Sequence, residues 1–269
     1  MIDKGVQRHD YETGHSAAAY RRAQEALARI HSPTMLGDPS VVWARGKLRQ
    51  YEACQRSDCA PQGPPGPSAT TYRYETLVDA VKTRRSIRSY SNRPVPRDVI
   101  NKIVEGINWS PCSCCRQPAK VFVTHDPELA KACLATCKGA SGFGEFVPCF
   151  MSFCVDLRPY DLPREVFLPA VDLGLGIQNC CLIAHSLGLS LTLLSWAQHD
   201  KEEGNQLRAL LGIPTCYEIM VNGALGYPDS GAPVPDRKSL ASTLVLRESP
   251  TGAHQHRTKC GTTDTTQHG

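Results

Sequence analysis

Pro169-Ala170-Val171-Asp172-Leu173-Gly174-Leu175-Gly176-Ile177-Gln178-Asn179-Cys180-Cys181-Leu182-Ile183-Ala184-His185-Ser186-Leu187-Gly188 organises the rest of the chain. Proline suits the first turn of a helix, where its missing N–H leaves no bond unmade. Glycine at the far end suits a C-cap. Between them Val171, Leu173, Leu175, Ile177, Leu182, Ile183 and Leu187 leave almost no polar face. A helix of this kind belongs at the centre of a domain or in a subunit interface.

Working outward, Cys149 to Val155 reads as an apolar strand buried on both faces, and Leu189 to Leu194 as a second. Lys120 to Thr124 and Tyr217 to Ala224 complete a set of four strands. Helices are expected over Thr76 to Thr83, with Leu77, Val78 and Val81 inward, and from Pro96, with a buried stripe of Val99, Ile100, Ile103, Val104 and Ile107. Pro127 opens another helix to about Cys137, and Gly204 to Leu211 forms a short one stopped by Gly212-Ile213-Pro214. Helices and strands alternate irregularly, which indicates an α+β domain.

The flanks differ in character. Residues 1–58 form a helical N-terminal extension, with Ala19, Ala23, Leu27 and Ile30 on one helix face and Val42, Trp43 and Leu48 as packing candidates on the next helix. Residues 59–70 are rich in proline and glycine and read as a linker. Residues 71–247 form the main domain, and 248–269, almost without apolar residues, a disordered tail.

Bulk properties exclude several classes. The net charge of +4 over 269 residues is too weak to indicate nucleic acid. No run of roughly 18 apolar residues signals a membrane span, and the polar start Met1-Ile2-Asp3-Lys4-Gly5 lacks the core of a signal peptide. A cytoplasmic location follows, with the 13 cysteines as reduced thiols. Most lie in apolar runs, where cysteine acts as a small hydrophobe. Cys112 and Cys115 have C-x-x-C spacing but no second pair, so no metal site is expected. His254, His256, Cys260 and His268 read as part of a solvated tail.

Two short stretches carry the chemistry. Arg84-Arg85-Ser86-Ile87-Arg88 places three guanidinium groups and a hydroxyl together, and guanidinium forks match phosphate oxygens. One helix later comes the polar loop Pro111-Cys112-Ser113-Cys114-Cys115-Arg116-Gln117-Pro118. The pair suggests a site for a phosphorylated cofactor.

From about residue 75 to 247 the chain resembles the FMN-dependent nitroreductase family. Residues 84–88 resemble its opening Arg-Arg-Ser-x-Arg, and residues 111–118 its Pro-Ser-Ser-x-Asn-x-Gln-Pro loop. Asp172 to Leu189 resembles its central helix. Leu210-Leu211-Gly212-Ile213-Pro214 followed by Leu225-Gly226-Tyr227-Pro228 resembles its C-terminal signature. The resemblance implies a mainly antiparallel central sheet flanked by helices. It implies a homodimer whose two FMN sites are each built from both subunits. NADH or NADPH would reduce the flavin and a small-molecule electron acceptor, a nitro compound or quinone, would reoxidise it. The flavin then carries the chemistry, and no protein acid or base is assigned.

Carried over residue by residue, the cofactor-binding set is Arg84, Arg85, Ser86, Arg88, Pro111, Ser113, Cys115, Gln117 and Arg237, with Lys238 as the alternative to Arg237. Trp196 follows a strand in a segment the family uses near the flavin ring, and core packing serves it equally. Glu218 is a buried charge with a partner or an edge position, and His185 a satisfied helix histidine.

The loop departs from the family pattern. Cys112 replaces a serine, Cys115 the usual asparagine and Ala119 an aromatic residue. A thiol donates and accepts only weakly where an amide does both. Two readings follow: drift in a tolerant loop, or a redox-active thiol or Cys112–Cys115 dithiol with Arg116 lowering a thiol pKa. The same departures support an alternative function, a non-enzymatic or degenerate flavin-binding scaffold.

Overall fold

A computed structural model of the protein describes residues 17–55, 73–144, 146–160, 162–197 and 200–247. The expected linker, the tail with its histidines, and the first residues of the extension lie outside them. The chain divides into two units, Met1–Ala232 and Pro233–Gly269.

Among the described residues the first unit begins with three helices, α1 (Ala17–Ala28), α2 (Pro33–Leu36) and α3 (Pro39–Gln55). Tyr20 of α1 stacks on Tyr51 of α3 with ring centroids 4.9 Å apart and donates its hydroxyl to Glu52. Ala19, Ala23, Leu27 and Ile30 are half-buried along one side, as their spacing requires. Leu48 is buried, whereas Val42 and Trp43, expected to pack, are exposed.

The remainder runs α4 (Tyr74–Thr83), α5 (Arg97–Asn108), β1 (Ala119–Thr124), α6 (Pro127–Ala135), β2 (Cys149–Asp156), α7 (Leu168–Ser186), β3 (Ser190–Ser195), α8 (Lys201–Leu211) and β4 (Tyr217–Gly226). The four strands form one sheet in the order β1-β2-β4-β3, with every neighbouring pair antiparallel. Polar punctuation sets the helix ends. Asp126 caps α6 by accepting from the Leu129 N–H, and Asp200 caps α8 in a reciprocal box with Glu203. Gly212 closes α8 in the left-handed conformation at φ 63°.

Side-chain alternation on the strands builds two cores, one on each face of the sheet. Cys149, Met151, Phe153 and Val155 of β2 meet Ile100, Ile103 and Ile107 of α5 and Leu173, Ile177, Cys180 and Ala184 of α7. Phe150 and Cys154 turn the other way, against Ala130, Cys133 and Leu134 of α6 and Leu207 of α8. One residue makes β4 fit both. The register passes from Phe153↔Val221 to Cys154↔Ile219, so Met220 is an extra residue, a bulge. Odd-numbered Leu225 lies in the first core and odd-numbered Ile219 in the second. Without the bulge Ile219 would face the wrong side, because a one-residue slip inverts a strand.

Half of α7 is not covered. Asp172, Leu173, Gly176, Ile177, Cys180 and Cys181 are buried, while Phe167, Val171 and Leu175 stand exposed at helical spacing. Pro163–Ser186 is long and apolar enough to cross a membrane by length and composition. Its buried face is nonetheless part of the first core. Leu77 and Val81 of α4, expected to point inward, are also exposed, and only Val78 is half-buried. In both helices apolar periodicity marks faces that stand exposed among the described residues.

Candidate functional site

The segment after α4 is held by hydroxyl groups and, further along, by an isolated antiparallel bridge between Tyr90 and Pro228. Ser190 Oγ accepts from the Ile87 N–H at 3.2 Å and donates to the Arg85 carbonyl at 3.1 Å. Thr192 Oγ1 donates to the Ile87 carbonyl. Further along, the Ser91 N–H donates to Tyr227 O at 2.9 Å and the Asp229 N–H to Ser89 O at 3.1 Å. Tyr90, whose hydroxyl donates to Ala224 O at 2.9 Å, anchors the segment in the second core. Burial raises that phenol above its ordinary range.

On this fixed backbone Ile87 is buried, Ser86 and Arg88 are exposed, and Arg84 and Arg85 are half-buried. Arg85 turns one nitrogen onto the carbonyls of Lys82 and Arg84. Arg88 lies 5.9 Å from the Phe143 ring centre. Among the described residues no carboxylate forms an ion pair with Arg84, Arg85 or Arg88. Three guanidinium groups with no carboxylate partner among the described residues, on a turn pinned by hydrogen bonds, form a surface suited to an anion with several oxygens.

The second stretch is a strained loop. Its turn Ser113–Arg116 closes with the Arg116 N–H on Ser113 O at 3.1 Å. Both central residues have positive φ, Cys114 at 53° and Cys115 at 54°, and Gln117 follows at 49°. Paired positive φ is the type I′ arrangement that asparagine and glycine favour. A cysteine there costs about 1–2 kcal/mol per residue, so surrounding contacts must hold it.

Those contacts come from Asp172, near the start of α7. Its Oδ1 accepts from both the N–H and the hydroxyl of Ser113, each at 2.9 Å. Its Oδ2 accepts from the Tyr160 hydroxyl at 2.6 Å. Burial, with the Asp172 bond second, raises the Tyr160 pKa. Arg116 reaches Glu165 at 2.6 Å, its guanidinium carbon 4.7 Å from the Tyr160 ring centre. The Glu165 carboxylate also accepts from the Leu162 N–H. Arg116 Nη1 is buried with no partner.

This geometry gives Arg116 a carboxylate partner, Glu165, that local reading of the loop did not identify. Burial pushes the Cys112 pKa up. Cys114 and Cys115 are exposed, and Gln117 Nε2 donates to Cys115 Sγ at 3.4 Å.

The two stretches sit at opposite ends of α7. Asp172 grips Ser113 at one end. At the other, His185 Nε2 lies 2.8 Å from Thr83 Oγ1, the residue before Arg84. Asp172 and His185 are roughly 20 Å apart along the helix at about 1.5 Å per residue.

The remaining candidates fall elsewhere. Pro111 is exposed at the start of the loop. Arg237 belongs to the second unit, is exposed, and donates to Asp236 O at 3.4 Å. Trp196 is buried in the second core. Glu218, expected as a buried charge or an edge position, is exposed and pairs with Arg208 at 3.2 Å. Among the described residues no group of three or more His, Cys, Asp or Glu is placed to hold a metal ion. Sequence reasoning missed Asp172, Tyr160 and Glu165. A lone carboxylate in an apolar helix was the one available signal, since such a charge must find donors.

Known proteins were compared with this arrangement. The model of the Nitroreductase family matches residues 81–141, which span the Arg segment, α5 and the loop. The "Putative NADH dehydrogenase/NAD(P)H nitroreductase" of Methanothermobacter thermautotrophicus is 30% identical over 156 residues, covering 56% of this chain and 77% of the relative. The NADPH-flavin oxidoreductase of Vibrio harveyi is 25% identical over 181 residues, covering 64% of this chain and 73% of the relative. Among solved structures, nitroreductase A from Vibrio parahaemolyticus superposes with a TM-score of 0.56 at 22% identity, over 65% of this chain and 76% of that one, a likeness of fold. With its antiparallel sheet, its long half-buried helix and its 30% identity to the Methanothermobacter relative over 77% of that protein, the chain belongs to the nitroreductase family.

Proposed function

We propose that the protein is a homodimeric FMN-dependent oxidoreductase that takes electrons from NADH or NADPH and passes them to a small nitro, quinone or related acceptor. The carrying observation is the separation of the two halves of the site by most of α7. One chain offers a phosphate-binding turn at one end of the helix and a polar loop at the other. A two-fold contact sets the turn of one subunit beside the loop of its partner. The exposed stripe of Phe167, Val171 and Leu175 supplies an apolar face for that contact, and Trp109, 79% exposed, adds to it.

The residues present fit FMN. Among the described residues no carboxylate pairs with Arg84, Arg85 or Arg88, and Ser86 is exposed beside them to take phosphate oxygens. Arg237, with Lys238 as its alternative, is a cofactor-binding candidate by the family resemblance alone. Across the interface Gln117 presents an exposed amide, and Ser113 and Pro111 shape the loop. When bound, the flavin supplies the hydride chemistry, and the protein supplies position and charge. Asp172, Tyr160, Arg116 and Glu165 hold the loop still, and the guanidinium groups balance the phosphate charge. The relatives' names, a nitroreductase and an NADPH-flavin oxidoreductase, support the reading. A reducing compartment such as the cytoplasm suits the exposed thiols.

The test is spectral. Purified protein should be yellow, bleach anaerobically with NADH or NADPH, and regain colour with a nitro or quinone acceptor. Arg84→Ala and Arg88→Ala should each weaken FMN binding about 10- to 100-fold, as expected for a lost hydrogen bond to a charged group. A second reading, a flavin-binding scaffold without turnover, is favoured by Cys115 standing in a backbone conformation suited to asparagine. Protein that binds FMN without bleaching, or refuses FMN altogether, supports that reading.

A further inference from the structure

Three of the chain's thiols lie within the loop that the proposed function places against the flavin, and their backbone geometry separates them. The Cys115 N–H donates to Cys112 O at 3.2 Å, an i to i+3 bond that closes a turn. Such turns hold their end Cα atoms within about 7 Å, and disulfides span roughly 4.4–6.8 Å between Cα atoms. Cys114 and Cys115 are neighbours, about 3.8 Å apart, below that range. Gln117 also touches both outer sulfurs. Its backbone N–H donates to Cys112 Sγ at 3.4 Å and its side-chain amide to Cys115 Sγ at 3.4 Å.

We propose that Cys112 and Cys115 form a redox-active pair, a modification site at which low-molecular-weight disulfides close the loop. This deepens the proposed function as a regulation of the same site, and it rests on that reading only for its effect on flavin. The two thiols have separate roles set by exposure. Cys115 is exposed and attacks, while Cys112 is half-buried and resolves. In the first step the Cys115 thiolate attacks one sulfur of the small disulfide. That S–S bond breaks, a mixed disulfide forms, and the departing thiolate takes up the proton Cys115 lost. In the second step Cys112 gives up its proton and attacks the Cys115 sulfur, expelling the second small thiol, which takes that proton. One protein dithiol and one small disulfide thus become one protein disulfide and two small thiols. The cysteine pair loses two electrons and the small disulfide gains them.

Closure draws the Cys115 sulfur towards Cys112 and away from the Gln117 amide. Gln117 is thereby released, and the loop's flavin-facing surface changes. Oxidised small thiols would switch the site off without any contact elsewhere in the fold.

Full-length protein, with and without FMN, is incubated with oxidised glutathione, alkylated and digested for mass spectrometry. The expected product joins Cys112 to Cys115, consumes two alkylatable thiols, and is reversed by dithiothreitol. Cys112→Ser should stall with glutathione on Cys115, and Cys114→Ser should still close. The proposal is overturned if both thiols stay alkylatable, if Cys114 is the crosslinked residue, or if glutathione remains on Cys115 with Cys112 intact. The flavin spectrum separates this result from the functional reading. Protein that crosslinks but refuses FMN overturns the oxidoreductase and retains the thiol pair. Yellow protein that NADPH bleaches, without a crosslink, does the reverse.

Discussion

Asp172 is the residue on which the loop depends. It accepts three hydrogen bonds while only 5% exposed, and its partners lie on two separate segments. Asp172→Ala leaves the Ser113 N–H, the Ser113 hydroxyl and the Tyr160 hydroxyl without that acceptor. At about 1–3 kcal/mol for a buried group left unsatisfied, urea denaturation should show a loss of at least 2 kcal/mol, and FMN titration a weaker complex. Unchanged FMN affinity would separate Asp172 from the site. Cys115→Asn tests the backbone instead. Asparagine tolerates the left-handed region that Cys115 occupies at φ 54°, so the variant should gain up to about 1 kcal/mol in the same assay. The sequence displayed Arg84, Arg85, Ser86 and Arg88 because a charge cluster is local. It concealed the grip of Asp172 on Ser113 because the two are 59 residues apart. The Arg116–Glu165 pair was hidden for the same reason, since its members are 49 residues apart.

At the scale of elements, each strand of the sheet was legible from its apolar run, and the longer helices from period and punctuation, whereas the four-residue α2 was not read. The bulge was not. Met220 is one apolar residue among several in β4, and only pairing with β2 reveals that it is extra. Deleting it should send Ile219 to the first core and expose the gap it left in the second. Burial of such a side chain is worth about 1.5–3 kcal/mol, and the residues before it invert as well. Circular dichroism on heating should show no cooperative transition. A milder disturbance is available at the end of the same strand. A Cβ on Gly226 would lie 2.6 Å from Pro148 Cγ and 2.7 Å from Tyr90 Cδ1. Gly226→Ala should cost about 1–3 kcal/mol through overpacking, read as a lower melting temperature. Because Tyr90 anchors the Arg segment, FMN affinity should fall with it. The exposed faces of α4 and α7 show the limit of periodicity, which reports that a face is apolar but not which chain covers it.

For the whole molecule, the dimer is the decisive expectation. Val171→Asp places a charge in the middle of the α7 stripe. Sedimentation should show a monomer, and FMN binding should be lost with the partner's half of the site. A dimer that survives with full flavin content would move the interface elsewhere. The thiols make a second global prediction. Burial pushes Cys133, Cys149 and Cys180 up to about 12, and Cys137 and Cys154 up to about 11. The folded state therefore keeps protons that the unfolded chain releases above its ordinary thiol pKa of about 8.5. Their contribution is complete below that pH and declines as pH rises towards 11 to 12. Urea midpoints between pH 8 and pH 11 should fall, and less steeply in Cys149→Ala. The strand order has a consequence for how the protein is made. β4 is the last strand in sequence yet lies between β2 and β3. During synthesis β2 has only β1 to pair with and β3 has no partner until β4 emerges, so nascent chains stalled before Tyr217 present open edges. Because translation runs at about 5–20 residues per second, those edges stay bare for seconds, and the growing chain is most in need of a chaperone just before its final strand is released.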